Sequence, residues 1–174
     1  LGARLDHISV DGYYTIQNIE RTSEVSETVL SPRITLLYDI TDELQFRGGY
    51  ARGFRAPQAF NEDLHISSVG GEQRFAILSD DLESEFSNAY TASLNLTKNF
   101  NKTQASLLVE GFYTTLQNPF TLVSTGASLP NGAILEESRN GSGAYVAGTN
   151  VELTVSPSQD LYFQAGITYQ KSIY

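Results

Sequence analysis

The residues best suited to chemistry are two histidines, an acidic run, three arginines and a few loop aromatics. His7 and His65 are candidate metal ligands or acid–base groups by residue type. Neither has a second His or a Cys nearby, and no Ser–His–acid spacing is visible. Ser31 and Ser67 reach them only through an unknown fold. Both are therefore read as structural or exposed, and no catalytic, metal or cofactor residue is assigned. Asp80, Asp81, Glu83 and Glu85 offer carboxylate oxygens, of which Ca²⁺ takes about six to eight. The run lacks the glycine and terminal glutamate of an EF-hand, and a solvated acidic loop is the preferred reading. Arg47, Arg52 and Arg55 suit carboxylate or anion recognition. The plainer role for inward arginines is to hold carboxylates such as Asp39 and Glu110 across strands. Phe60, Phe75 and Phe120 fall in loops, where an aromatic can meet a substrate.

These groups must be positioned by strands. Around the arginines, Ser31 to Leu64 reads as two ribbons joined by a polar turn. Ile34, Leu36, Tyr38 and Ile40 share one parity; Arg33, Thr35 and Asp39 share the other, with Leu37 out of pattern. In the second ribbon Leu44, Phe46, Tyr50 and Phe54 alternate with Gln45, Arg47, Gly49, Ala51, Gly53 and Arg55. Successive side chains of a strand point to opposite faces, so each ribbon has an apolar and a polar side. Thr41, Asp42 and Glu43 suit a tight turn because short polar side chains bond their own backbone. Arg52 falls on the apolar parity, and a charge at the bilayer midplane costs roughly 2–4 kcal/mol, so it is expected beyond any lipid band.

The same device recurs. Strands are expected over 1–10, 86–100, 104–118, 143–155 and from 161, with 86–100 alternating most cleanly. The connections run long (11–29, whose middle reads as a strand extension or a loop), short (41–43), long (56–85), short (101–103), long (119–142) and short (156–159). That order is expected of an outer-membrane barrel, with brief periplasmic turns and long extracellular loops. A soluble sandwich has no reason to keep it. Each strand reaches the roughly 9–11 residues that cross a bilayer. Tyr13, Tyr14, Phe54, Phe120, Tyr145 and Tyr174, near strand ends, are candidates for interfacial aromatic belts.

The 174 residues contain no Cys, Met or Trp, ten Tyr and nine Phe, with a net charge of −9. Zero Cys removes disulfides and thiolate metal sites. No apolar run approaches the roughly 20 residues of a membrane helix; strands hide their hydrophobicity in alternation. The acid excess and lack of a basic cluster argue against nucleic acid. The expected fold is all-β: an antiparallel up-and-down meander of about seven strands forming an arc of a transmembrane β-barrel.

Ser31-Pro32-Arg33, with Leu36 and Tyr38, and then Arg47, Tyr50, Gly53-Phe54-Arg55-Ala56-Pro57 and Asp63-Leu64 closely resemble the barrel signature of TonB-dependent outer-membrane receptors. The resemblance continues in Leu1-Gly2-Ala3-Arg4-Leu5-Asp6, Phe112-Tyr113, Gln117-Asn118, Ala147–Leu153 and Ala165–Tyr169. Leu82-Glu83-Ser84-Glu85 resembles the family's L-x-P-E, with Ser84 in place of Pro. The resemblance implies that residues 1–174 are part of a barrel domain in the bacterial outer membrane, lacking the plug and the remaining strands. It implies active uptake of a scarce large nutrient (a ferric chelate, haem, cobalamin or glycan) energised through TonB, with lipid and the plug as partners and no enzyme activity. Arg47, Arg55, Phe60, Phe75 and Phe120 would touch lumen or substrate. Alone, such an arc is expected to self-associate through its open edges. The readings from other classes are a soluble carbohydrate-binding β module, a barrel enzyme and a passive porin.

Overall fold

The computed structural model describes residues 1–16, 19–57, 74–79, 81–130 and 132–173, with backbone only for 10–16, 19–25 and 75. Ten strands form: β1 (Gly2–Ile16), β2 (Ile19–Asp39), β3 (Leu44–Arg55), β4 (Arg74–Leu78), β5 (Glu85–Phe100), β6 (Thr103–Gln117), β7 (Phe120–Ser128), β8 (Ile134–Asn140), β9 (Ala144–Ser158) and β10 (Leu161–Ile173). Seven make one sheet in the order β1-β2-β3-β5-β6-β9-β10, each pair antiparallel. The meander is as expected. Three further strands, β4-β8-β7, form a side sheet inside the two longest connections, and its β4–β8 pair is parallel.

Register turns the alternation into two continuous faces. Tyr38, Phe46, Leu94, Val109, Val151 and Ile167 stand opposite one another across six strands. The next row of the other parity, Leu37-Arg47-Ser93-Glu110-Asn150-Thr168, is mostly polar. No large side chain among the described residues is fully buried, and Leu5 and Ile167 are each 70% exposed. No second layer of described residues seals the apolar face, as a soluble sandwich would require. On β5 the ten steps from Tyr90 to Phe100 measure about 33 Å at ~3.3 Å each. Tilted by about 40°, that length covers the ~25 Å apolar band of an outer-membrane barrel.

The short turns form as their residues dictate. Thr41 Oγ1 accepts from the Glu43 and Leu44 amides at 3.3 and 3.0 Å, and Leu44 O accepts from the Ile40 amide at 2.8 Å. Asn101 turns the β5–β6 hairpin at φ 58°, which asparagine tolerates. Of the two readings of 11–29, a strand extension or a loop, the extension is found: β1 and β2 stay paired up to Ile16↔Ile19, as a hairpin extending past the sheet. One expectation is corrected. Ser156, Pro157 and Ser158 belong to β9, leaving Gln159 and Asp160 as the turn.

Candidate functional site: the cross-tied end of the wall

All three long excursions leave the same end of the sheet, and most of the described candidate groups collect there; Arg47 lies toward the other end, opposite Leu37. Arg33 pairs with Gly2 on one side and Ala51 on the other, which brings the first strand, Ser31-Pro32-Arg33 and the β3 end together. The β2–β3 ladder runs from Asp39↔Gln45 to Arg33↔Ala51 and stops one residue short of Pro32. Proline has no N–H to give a ladder. Where β2 and β3 part, a cleft of about 480 Å³ opens, lined by Arg4, Asp6, Arg33, Arg52 and Phe54 among others. Arg4 donates to Asp6 Oδ1 through Nε at 2.8 Å and through its terminal nitrogen at 2.7 Å. Asp6 Oδ2 is buried and has no partner among the described residues. An unmet buried acceptor costs about 1–3 kcal/mol.

The arginines behave differently from the expectation. Arg47 does not pair with Asp39 directly. Its Nε donates to Gln45 Oε1 at 2.9 Å, and Gln45 Nε2 donates to Asp39 Oδ1 at 2.7 Å. Glu110 is held by Asn150 Nδ2 at 3.0 Å and not by an arginine. A side-chain amide one strand away is nearer in the register than any guanidinium. Arg55 and Phe120 do come together, with the guanidinium 5.0 Å from the ring centroid. Arg52, on the apolar parity, lies 4.4 Å over the Phe86 ring at the same end. Pro57 is buried and Ala56 half-buried. Phe60, Leu64 and His65 lie outside the described residues, and only the backbone of Phe75 is described, in β4.

Of the acidic run, Asp80 lies outside the described residues and Asp81 is exposed. Glu83 and Glu85 are not merely solvated. Asn140 Oδ1 accepts from the Glu83 amide at 2.8 Å, and Asn140 Nδ2 donates to the carbonyls of Glu83 and Asn118, both at 2.9 Å. Asn118 Nδ2 donates to Glu83 Oε2 at 2.9 Å, and the Phe120 amide donates to Glu85 Oε2 at 3.1 Å. Asn118 sits at φ 53°, a conformation asparagine visits more readily than most residues. Ser84, 3% exposed, donates to a Glu27 carboxylate oxygen on β2. A proline at that position has no hydroxyl to do so.

The side sheet reinforces the tie. β4 comes from the first long connection and β8 from the second. Arg74 pairs with Glu136 at 2.8 Å and Arg139 with Glu137. Leu129 and Ala133 pack inside, where Gly132 (φ +84°) turns the β7–β8 hairpin. His7 Nδ1 lies 3.0 Å from Thr28 Oγ1, with no acid beside it in the described contacts. No group of three metal-ligating side chains occurs among the described residues.

An aromatic belt does form, from Tyr145, which sequence reasoning names as a belt candidate, and three tyrosines that it places on the apolar face without seeing them as a belt. Tyr50, Tyr90, Tyr113 and Tyr145 run across β3, β5, β6 and β9, with ring centroids 5.0, 6.4 and 5.7 Å apart. Tyr50 turns its hydroxyl to Asn88 Oδ1 at 2.9 Å, away from the aliphatic band. Pairing of Tyr50↔Tyr90↔Tyr113 is what makes the row, and only register reveals it. Phe54 pairs with Phe86 on the same face; the side chains of Tyr13 and Tyr14, and all of Tyr174, lie outside the described residues.

A meander with one greasy and one polar face, an aromatic belt, and short and long connections segregated to opposite ends is the wall of an outer-membrane-type β-barrel. The sequence matches the TonB dependent receptor-like, beta-barrel family over residues 1–174, and the chain belongs to that family of the bacterial outer membrane. The siderophore receptor PirA from Pseudomonas aeruginosa superposes with a TM-score of 0.66 at 18% identity, over 83% of this chain and 28% of that one. The FrpB iron transporter from Neisseria meningitidis gives 0.65 at 14%, over 98% and 22%. The hemophore receptor HasR of Serratia marcescens, solved with its hemophore HasA and heme, gives 0.61 at 14%, over 99% and 29%. The chain thus spans less than a third of each of these proteins. At these identities the likeness is one of fold. No curated protein matches the sequence.

Proposed function

We propose that this chain is a barrel-wall segment of an active transporter that captures a scarce large nutrient outside the cell, such as a ferric chelate, haem, cobalamin or glycan. Its import is energised through TonB, and no bond in the nutrient is made or broken. The observation that carries this reading is the joining of the described parts of the two longest connections into one cap through Asn140, Glu83 and the β4–β8 pair. Connections that merely close hairpins do not need to bond each other. A cap built from two of them presents a fixed extracellular surface, which preorganised binding of a dilute ligand needs. Names of the structural neighbours, a siderophore receptor and an iron transporter among them, favour an iron-bearing cargo.

In this reading the polar face lines the lumen and meets the receptor's own plug. Asp6 Oδ2 and Arg33 in the cleft, with Arg47 below them, are the groups we assign to plug contact. Arg55 with its Phe120 partner, together with the side chains of Phe60 and Phe75, is assigned to the substrate side. The test is uptake by cells carrying the intact receptor as their sole route, offered radiolabelled ferric siderophores, haem, cobalamin and oligosaccharides in turn. Uptake of one of them that stops when TonB is deleted, while surface binding persists, supports active transport. Uptake that survives the deletion identifies a passive pore.

A further inference from the structure

The β1–β2 hairpin exchanges its faces where it leaves the sheet. On β2, Leu30 shares a parity with Ile34, Leu36 and Tyr38, and all four are exposed on the outer face. Past Leu30 that parity continues as Thr28 and Ser26, polar and exposed. The opposite parity, which carries Arg33 on the lumen side, turns apolar instead. Val29 is 3% exposed, and Ile8, opposite Glu27, is half-buried. The pairs Val10↔Val25 and Ile16↔Ile19 continue that parity along the ladder. An antiparallel ribbon that is polar on its outer side and apolar on its inner side has left the lipid and faces water outward.

The ladder alone holds this ribbon weakly. β2 pairs with β3 no higher than Arg33↔Ala51. Glu27 lies six residues beyond Arg33, about 20 Å at ~3.3 Å per residue, and the Ile19 end lies eight further, about 26 Å. A two-stranded ribbon is only marginally stable by itself in water. The described hydrogen bond that joins this reach to the cap runs from Ser84 Oγ to a Glu27 carboxylate oxygen. Ser84 is 3% exposed, and a bond to a carboxylate shielded from water is among the stronger kinds. Its neighbours bond elsewhere: Glu83 with Asn118 and Asn140, and Glu85 with the Phe120 amide. Residues 83–85 thus tie in different directions, and Ser84 supplies the tie toward the hairpin.

We propose that Ser84 is a positioning residue for nutrient capture: by holding Glu27 it fixes the β1–β2 hairpin over the barrel mouth. This role rests on the active-uptake reading above. Ser84 itself touches no nutrient. A hairpin already in place need not be ordered when a dilute ligand arrives, and that preorganisation strengthens binding. The departure from L-x-P-E at this position is then what supplies the tie, since proline has no hydroxyl to donate.

The experiment places spin labels on the intact receptor at Ser26 of the hairpin and Thr121 of β7, both exposed, and reads their separation in bilayers by pulsed electron resonance. Wild type and Ser84→Thr should give one narrow distribution. Ser84→Ala and Glu27→Leu should each broaden it, and the two together should broaden it no further, as partners in one bond do. A Ser84→Ala receptor that is folded, judged by heat-modifiability on gel electrophoresis, and whose distribution stays narrow overturns the proposal. Uptake is then measured on the same variants without labels, with ferric siderophores, haem, cobalamin and oligosaccharides as probes. For a probe that the wild type takes up, half-saturation should rise about five-fold in Ser84→Ala, the order of one lost hydrogen bond. The maximal TonB-driven rate should hold, and Ser84→Thr should restore half-saturation. Unmoved half-saturation, or a fallen maximal rate in its place, overturns the positioning role alone. A wild type that takes up no probe overturns the uptake reading and this role with it.

Discussion

Replacing Asn140 with alanine tests whether the two long connections act as one body. The side chain makes three hydrogen bonds, accepting from the Glu83 amide at 2.8 Å and donating to the carbonyls of Glu83 and Asn118 at 2.9 Å each. A neutral hydrogen bond contributes about 0.5–1.5 kcal/mol net. These groups are partly exposed, so water replaces some of what is lost, and the lower half of that range applies. Three bonds then amount to roughly 1.5–3 kcal/mol of local opening free energy, using that per-bond range. Every ~1.4 kcal/mol is a factor of ten in an equilibrium, so exchange should quicken between ten-fold and about a hundred-fold. The assay is amide hydrogen exchange on the intact receptor in detergent, followed at Glu83 and at Gly141, whose amide donates to Pro119 O at 2.7 Å. The ladder amides at Val109 and Val151 on the wall should keep their wild-type rates. Unchanged exchange at Glu83 and Gly141 would refute the latch. Faster exchange spread evenly over the wall would also refute it, because a local tie cannot loosen the whole sheet.

Leu94→Arg, in the middle of the apolar band, should destabilise the folded receptor in bilayers by about 2–4 kcal/mol. Asn95→Arg, one residue along and on the polar face, should change stability by less than about 1 kcal/mol, because the lipid-face cost does not apply there, both measured by urea titration. Gly148→Ala should cost at least the ~1–3 kcal/mol of overpacking, because its Cβ lands 2.5 Å from the Phe112 ring and 2.5 Å from the Tyr169 carbonyl. Adding Phe112→Ala should recover only part of that loss, since the carbonyl stays in place. The 174-residue chain in mild detergent should sediment as dimers or larger species joined through β1 and β10, the sheet's edge strands; a sharply monomeric boundary would contradict this.

How much of this was legible in the sequence depends on the range of the forces involved. Phe86 to Phe100 alternates because one face meets oil and the other water, and that constraint is written residue by residue. The Thr41 turn is local chemistry and was equally plain. The β1–β2 ribbon stays open between a strand extension and a loop in the sequence because past Val10 its alternation fades, while its ladder continues to Ile16↔Ile19 without needing an apolar face. β7 was missed for a related reason: Leu122 and Val123 are adjacent and both exposed, so no period of two shows. Its partner β8 follows in the same connection, but β8's parallel neighbour β4 belongs to an excursion tens of residues away. The Asn140 latch joins residues 57 apart, and Asn140-Gly141 by itself signals only a turn. Inward arginines are expected on carboxylates such as Asp39, but Gln45 lies between Asp39 and Arg47, a detail of side-chain reach that spacing does not encode.

Spin labels placed one at a time along β5 from Tyr90 to Leu96 of the intact receptor in bilayers test the two-solvent wall most directly. Positions 90, 92, 94 and 96 should be open to dissolved oxygen and closed to a water-soluble nickel chelate, and 91, 93 and 95 should show the reverse. A profile that fails to alternate, or that alternates with the opposite parity, would contradict the account.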